Sequence, residues 1–358
     1  MKILALTRYS SLGASSRVRS YQFFEYFQEH GVDVRCCPFF DAAYLANLYG
    51  AGRRDWGNLW RAYSRRIGAS WGQRRKEIDL LWIEKEVLPW LPAPVERFLW
   101  LSRFPYVVDY DDAVFHNYDL HPSGFVRRLL GRKIDSIMAG AELVTAGNAY
   151  LGERARRAGA KRVEIVPSVV DTEKFRPKFV PGGEVFTIGW IGTPFTARYL
   201  DLVAGSLAEV CKGRGRVVLV GAGAVSLPGV PVEVRPWSED TEVAEIQSFD
   251  VGIMPLPDGP WERGKCGYKL IQYMACGKPV VASPVGANRE IVRDGETGFL
   301  ADGRDGWISA LQALMNDPGK RIRMGRSARE RVVAHYSRHV VAPRLLQLLE
   351  QAAGAAVG

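Results

Sequence analysis

The sequence predicts an α/β protein built on two doubly wound parallel sheets, and three observations carry that prediction. Apolar strand-like runs alternate with helical patterns along the chain, the mark of β-α-β units. At 358 residues the chain exceeds what one ordinary core holds, so two domains are expected. The pattern is interrupted at Pro177–Gly183, rich in Pro and Gly, and then restarts.

In the first half, short apolar runs bounded by turn residues predict strands at Lys2–Thr7, Val32–Cys37, Leu80–Glu84, Tyr106–Asp109, Leu143–Ala146 and Val163–Val166. Helical patterns fit Ser16–Glu29, Phe125–Ala139 and Ala149–Ala158. After the break come strand Phe186–Ile191, helix Thr196–Val210 and strands Arg216–Val220 and Val232–Arg235. Helix Glu239–Ser248, strand Val251–Pro255, helix Tyr268–Cys276 and strand Val280–Ser283 follow. Arg321–Tyr336 and Val340–Ala352 read as helices, and Met254 and Met274 as core. Two such sheets imply a cleft, with ligands at the carboxyl ends of the strands.

Composition narrows the class. An apolar fraction of 47% and a charged fraction of 24% are ordinary for a globular protein. No run of 18 apolar residues exists, so no membrane-spanning helix is expected. Met1–Arg8 reads as a strand and not as a signal peptide. Cys36, Cys37, Cys211, Cys266 and Cys276 share no metal-ligand spacing and fit a reduced, cytoplasmic protein. The net charge of +9 calls for an anionic partner: nucleic acid, lipid or nucleotide. No recognised nucleic-acid module is present, so nucleic acid is the weakest of the three.

The most informative stretch runs from Lys265 to Gly286, between two apolar strands. A strand–loop–helix–strand unit presents a helix N-terminus with unpaired N–H groups, and anions bind there. Lys265 and Lys269 add cations beside it. Gly192, Thr193, Thr196 and Arg198 follow the first strand of the second half, where a doubly wound sheet usually seats a phosphate. An ordinary capped turn with a solvated arginine is the plain alternative. Val220–Ala224 lacks the third glycine of a dinucleotide fingerprint and reads as a turn.

Two first-half segments also stand out. Arg8–Arg19 is a small-residue loop around Gly13, with Ser15 or Ser16 as a helix cap and Arg8, Arg17 and Arg19 nearby. It suits contact with a sugar or a diphosphate, or it is a surface turn. Asp109, Asp111 and Asp112 crowd a strand end, and such repulsion needs a metal, an arginine, hydrogen bonds or a shared proton. His116 fits a general acid or base, or a structural hydrogen-bonder. Arg53–Lys76 is strongly basic, with Trp56, Trp60, Tyr63 and Ile67 on one helical face. It reads as a membrane-surface helix, or as a core-packed helix with a charged outer face.

The Lys265–Gly286 stretch, with Glu290–Leu300, Val144–Asn148 and Val166–Phe175, resembles the family 4 glycosyltransferases of the two-domain GT-B fold. The resemblance covers most of the chain and is strongest over Gly189–Leu300. It implies retaining transfer from a nucleotide-diphosphate sugar, without a cofactor and without a metal in the site. It implies an acceptor domain, 1–180, a donor domain, 184–338, and a last helix, about 340–356, packing back on the first. The implied donor-binding residues are Gly13, Gly192, Thr193, Arg198, Trp237, Lys265, Cys266, Gly267, Tyr268, Lys269 and Gln272. Asp111, Asp112 and His116 are the expected catalytic residues. The family's two glutamates, eight residues apart, fall here at Gly264 and Gln272. Gln272 is still expected at the ribose, and the Arg263–Gly267 backbone at the sugar. The acceptor is expected to be a lipid-linked or surface-polysaccharide glycan, with the protein peripheral on the inner face of the membrane. A non-catalytic nucleotide-sugar binder and an epimerase of the same fold are the alternatives.

Overall fold

The computed structural model describes residues 1–41, 44, 56–72, 77–179 and 184–354. The chain divides into two compact units, Met1–Ser168 with Val341–Gly358, and Val169–Val340. The division falls after Ser168, ahead of the Pro/Gly stretch at 177–183, whose residues 180–183 lie outside the described residues.

The first unit is built on β1 (Lys2–Leu6), β2 (Asp33–Cys36), β3 (Leu80–Glu84), β4 (Tyr106–Tyr110), β5 (Leu143–Ala146) and β6 (Val163–Ile165). They form one parallel sheet in the order β2-β1-β3-β4-β5-β6. Every residue of β3, β4 and β5 is buried. A parallel sheet covered on both faces needs such continuous apolar runs, which is why these strands are legible in sequence. The predicted helix Ser16–Glu29 begins earlier, at Ala14, and includes a π-helical turn at Arg17–Tyr21. The predicted helix Phe125–Ala139 is broken into Gly124–Leu130 and Lys133–Gly140. The last helix, Arg338–Gly354, contributes its residues from Val341 onward to this unit. Arg344 there pairs with Glu164 at 3.0 Å and donates to the Ile165 carbonyl at 3.1 Å.

The second unit carries β7 (Phe186–Ile191), β8 (Gly215–Val220), β9 (Val232–Arg235), β10 (Val251–Met254), β11 (Val280–Ala282) and β12 (Gly298–Leu300), in the order β12-β11-β10-β7-β8-β9, again all parallel. Alternate residues feed two cores. Ile188, Trp190, Val217 and Leu219 enter one; Ile191, Val218 and Val220 enter the other. The predicted helix Thr196–Val210 starts at Pro194 and contains a 3₁₀ stretch, Arg198–Val203, before Ala204–Val210. Proline at the first position costs the helix no N–H partner. Strand Gly298–Leu300 and helix Gly303–Asn316 are additions to the sequence reading. Asp302 caps that helix, and Trp307, Leu311 and Leu314 bury one face of it.

In the first sheet the winding reverses between β1 and β3, and in the second between β7 and β10. Strand connections there run to opposite sides and leave a crevice outside the carboxyl ends, where ligands of open α/β sheets bind.

Candidate active site

The second unit's reversal point is framed by the loops after β7 and β10. Gly192 follows β7, and a Cβ on it would stand 2.5 Å from the Trp190 ring and 2.8 Å from Lys269 Cε. Only glycine leaves that room. Thr193 caps the Pro194–Ala197 turn in a reciprocal box with Thr196. Lys269 lies over the Trp190 ring, 4.7 Å from its centroid, and reaches Thr196 Oγ1 at 3.4 Å. Arg198 stacks over Phe195 at 4.4 Å and contacts the Tyr199 hydroxyl at 3.4 Å. Tyr199 in turn donates to Glu262 Oε1 at 2.6 Å, tying the β7 loop to the Pro260–Arg263 turn after β10. Burial, and then the bond to Glu262, push the Tyr199 phenol up.

Gly267 opens the helix Tyr268–Ala275 in the left-handed region, at φ +64°. A Cβ there would sit 2.3 Å from Ile291 Cδ1. The turn thus needs glycine twice over, for its dihedral and for space. Lys265, Gly267 and Lys269 are brought to one helix end. Cys266 is buried, with its thiol 3.7 Å from the Gly264 carbonyl, and Tyr268 is half-buried at the first helical position. Arg263 is engaged by Asp258 at 2.6 Å.

Gln272, on the next turn, is 4% exposed and donates from Nε2 to Glu242 Oε2 at 3.3 Å. Trp237 Nε1 donates to the same oxygen at 3.4 Å, and Lys174 pairs with Glu242 Oε1 at 3.1 Å. This buried carboxylate was missed in the sequence, where it is one acid among several in an amphipathic helix. Its anchoring fixes the amide of Gln272: the N–H side is spent on Glu242, and the carbonyl side is left to accept.

The first unit's reversal point holds a different chemistry. Ser15 Oγ lies 2.5 Å from Asp111 Oδ2 and 3.0 Å from Glu84 Oε1, and accepts from Lys85 Nζ at 3.0 Å. Lys85 also pairs with Asp111 at 2.9 Å. Ser16 Oγ donates to Glu84 Oε2 at 2.5 Å, beside the Arg8 N–H at 2.9 Å. Neither serine caps its helix, contrary to expectation; the cap position is Gly13, which packs against Tyr9. Burial drives the Glu84 carboxyl up, and the Asp111 charge adds to that rise. Burial would raise Asp111 too, but Lys85, Arg19 and the Ser15 bond outweigh it and hold Asp111 below the usual range. Neighbouring carboxyls pushed apart in this way can hold and accept protons separately. Burial lowers the Lys85 ammonium less than Asp111 and Glu84 raise it. Asp112 is partly buried and adds to the field on Lys85.

Two of the three arginines of the first loop, Arg8 and Arg19, are spent inside the unit. Arg19 forms a two-pronged bridge to Asp109, at 2.6 and 2.8 Å, and Asp109 also accepts from Thr145 at 2.6 Å. Arg8 pairs with Glu86 at 2.8 Å. Both balance buried acids. His116 bridges Asp119 and Tyr150, each at 2.8 Å, so both ring nitrogens are engaged. That arrangement fits the structural hydrogen-bonder that stood as the alternative to an acid–base role. Glu84, Lys85 and Glu86 were missed, although three consecutive charges after an apolar strand are a legible signal. Among the described residues, no group of three or more His, Cys, Asp or Glu is arranged to hold a metal ion.

The basic segment departs most from expectation. Arg66 is 1% exposed and donates to the Thr7 and Cys37 carbonyls at 2.8 and 2.9 Å. Arg65 pairs with Asp41 at 3.0 Å. Arg53, Arg54, Asp55, Arg74, Arg75, Lys76 and the Trp56 side chain lie outside the described residues.

Two doubly wound parallel units define the GT-B fold, and solved structures agree. Sucrose-phosphate synthase from Thermosynechococcus elongatus superposes with a TM-score of 0.75 at 17% identity, covering 99% of this chain and 100% of that one. HepE from Anabaena, in complex with UDP-glucose, gives 0.68 at 16% identity, covering 98% and 100%. Residues 185–317 match the family described as "Glycosyl transferases group 1". The two units thus have the GT-B fold, and residues 185–317 of the second are similar to a group 1 glycosyltransferase domain. A D-inositol 3-phosphate glycosyltransferase of Acidothermus cellulolyticus is 29% identical over 248 residues, 59% of this chain and 52% of that protein. Another such protein, from Arthrobacter sp., is 39% identical over 85 residues, 23% of this chain and 19% of that one. The chain spans about half the length, or less, of these curated relatives.

Proposed function

We propose that the protein transfers a hexosyl unit from a nucleoside-diphosphate sugar to an acceptor hydroxyl, with retention at the anomeric carbon. The observation that carries this reading is the group 1 match over residues 185–317, which encloses the β7–β10 reversal point with its glycines and cations. HepE, of the same fold, is solved with UDP-glucose, which makes a uridine nucleotide the first to test.

On this reading the second unit binds the donor. Lys265 and Arg198 set positive charge beside the diphosphate, together with the N–H groups at the start of Tyr268–Ala275. The Gln272 carbonyl oxygen accepts from a ribose hydroxyl, its amide held in that orientation by Glu242. The sugar lies along the backbone of Arg263–Gly267. The first unit binds the acceptor. Asp111, kept ionised by Lys85, accepts the hydrogen bond of the attacking hydroxyl and orients it. The bond from the anomeric carbon to the diphosphate breaks, and its electron pair leaves with the diphosphate. The acceptor oxygen bonds on the same face, and its proton passes to the departing phosphate oxygen. The positive charge comes from side chains, so no metal is needed in the site. A lipid-linked or surface-polysaccharide glycan at the inner face of the membrane is the proposed acceptor.

The test is incubation with UDP-, GDP- and dTDP-hexoses, with and without a panel of glycan and polyol acceptors. Mass spectrometry and anomeric NMR read the products. An acceptor-dependent α-linked product from an α-linked donor is expected. An epimerised donor formed without acceptor would make the protein an epimerase. Donor binding without turnover on any acceptor would make it a binding protein.

A further inference from the structure

The first unit exposes several large apolar side chains, most of them aromatic or leucine. On the helix Gly124–Leu130, Phe125 is 74% exposed and Leu129 52%. They stand four residues apart, on one helical face. Trp90 is 47% exposed, with its ring edge-on to Tyr118 and, at 5.8 Å, to His121, just ahead of that helix. The helix Trp56–Gly72 runs beside Trp90, because the Tyr63 hydroxyl donates to the Pro89 carbonyl. On that helix Trp60 is 75% exposed, and Phe98, on the neighbouring 97–101 turn, is 81% exposed. Single exposed apolar residues are common, but five bulky ones on elements joined by these contacts mark a candidate interaction surface.

Charge identifies the occupant. Residues 120–134 contain no Asp or Glu, and Arg127, Arg128 and Arg132 are exposed within them. Arg97 is exposed beside Phe98. Arg127 donates to the His121 and Pro122 carbonyls at 2.6 and 2.9 Å and so stiffens the approach to the helix. A second copy of this chain would set arginine against arginine. Aromatic rings ringed by guanidinium groups match acyl chains beneath anionic phosphates. We propose that this face docks on an anionic lipid surface. It deepens the membrane element of the transferase reading and places its charge on Arg97, Arg127, Arg128 and Arg132 rather than on the Arg53–Lys76 stripe, where Arg66 is buried. Among the described residues no helix is long and apolar enough to cross a membrane, and docking requires none.

The test is flotation of the full chain with vesicles of phosphatidylcholine alone, or of phosphatidylcholine containing phosphatidylglycerol. Binding is expected only to the anionic vesicles, falling as salt is added. The pair Phe125→Ser/Leu129→Ser should cut it about tenfold or more. The pair Arg128→Glu/Arg132→Glu should do the same, with thermal midpoints within about 2 °C of the parent's. Leu202→Ser, at an exposed site in the second unit, should leave it unchanged. The proposal fails if the parent floats with neither vesicle, if it floats equally with both, or if the Phe125/Leu129 pair binds as the parent does. It also fails if sedimentation shows that pair dissociating a dimer, which would make the face a self-association surface. Flotation uses neither donor nor acceptor, so its failure stands apart from failure of the transferase reading.

Discussion

Restoring the family's glutamate at position 272 should harm this protein. In Gln272→Glu, a carboxylate oxygen replaces the amide nitrogen that now donates to Glu242 Oε2 at 3.3 Å. Both side chains are buried, at 4% and 3% exposure. Two unit charges about 4 Å apart repel by about 4 kcal/mol at an effective dielectric constant of about 20. Lys174, on the far oxygen of Glu242 and 37% exposed, offsets about 1 kcal/mol of that. The net cost is about 3 kcal/mol with both groups ionised, so the folded variant keeps one of the two carboxyls protonated into a range where an ordinary carboxyl is ionised. The folded variant then holds a proton that the unfolded chain gives up near pH 4.3, a carboxyl's ordinary value. Its stability therefore falls as pH rises above about 4.3 and stays low once both carboxyls are ionised. Urea unfolding should show a midpoint about 1–2 M below the parent's at pH 8, and a much smaller gap at pH 5. Titration with UDP should be weakened at pH 8 as well. Glu242→Gln/Gln272→Glu restores one acid and one amide within hydrogen-bond distance and should recover most of both losses. If Gln272→Glu matches the parent's stability at pH 8, or the double variant is worse than the single one, the coupling of these two residues is refuted.

Three further outcomes follow from the same geometry. Gly267→Ala forces a Cβ into a left-handed turn 2.3 Å from Ile291 Cδ1; it should cost about 1–3 kcal/mol in urea unfolding and weaken UDP binding by calorimetry. Lys133→Met strands the buried carboxylate of Glu96, which Lys133 now meets at 2.7 Å, and leaves Glu86 to its pair with Arg8; a loss of about 3–5 kcal/mol is expected at pH 7, shrinking towards pH 5 as the stranded acid takes up a proton. Asp111→Asn should lower transfer about 100-fold while UDP titration is unchanged. Because Asp111 is held below the usual range, the stability it contributes is present above its unfolded pKa, is lost as pH falls through the lower folded one, and is absent from the asparagine variant in an acid titration.

The fold was legible wherever burial on both faces forced a continuous apolar run. Leu80–Glu84, Leu143–Ala146 and Phe186–Ile191 have the bounds their composition predicts, and so does the partly exposed edge strand Val232–Arg235. What escaped was short or locally capped: β12 has three residues, and the Gly303–Asn316 helix is announced chiefly by Asp302. In the site, glycines were legible, since a strand followed by Gly192, or a Gly267 before a helix, has few other uses. Charge partners were not. That Arg19 meets Asp109, 90 residues away, and that Arg66 turns inward to Thr7 and Cys37, are facts of topology that no local spacing encodes. An arginine count therefore overstated both the first loop as an anion site and the 53–76 segment as a lipid-facing stripe.

The two departures from the family's glutamate pair differ in kind. At position 272 the carboxylate has moved rather than vanished: Trp237, Lys174 and Gln272 converge on Glu242 from separate elements, and the amide keeps an acceptor oxygen where a glutamate would offer one. At position 264 no acid among the described residues of the adjoining turn stands free to take the lost one's place. Gly264 is buried at the end of the Pro260–Arg263 turn, the nearby Glu262 is engaged by Tyr199, and Asp258 by Arg263. Ribose recognition can therefore keep its hydrogen-bond chemistry, whereas the sugar meets backbone N–H and C=O groups. Backbone groups carry no charge and cannot rotate to follow a hydroxyl, so they select by the position of the sugar's oxygens. Exchanging the sugar on a fixed nucleotide should then alter turnover more than exchanging the nucleobase alters the contacts of Gln272.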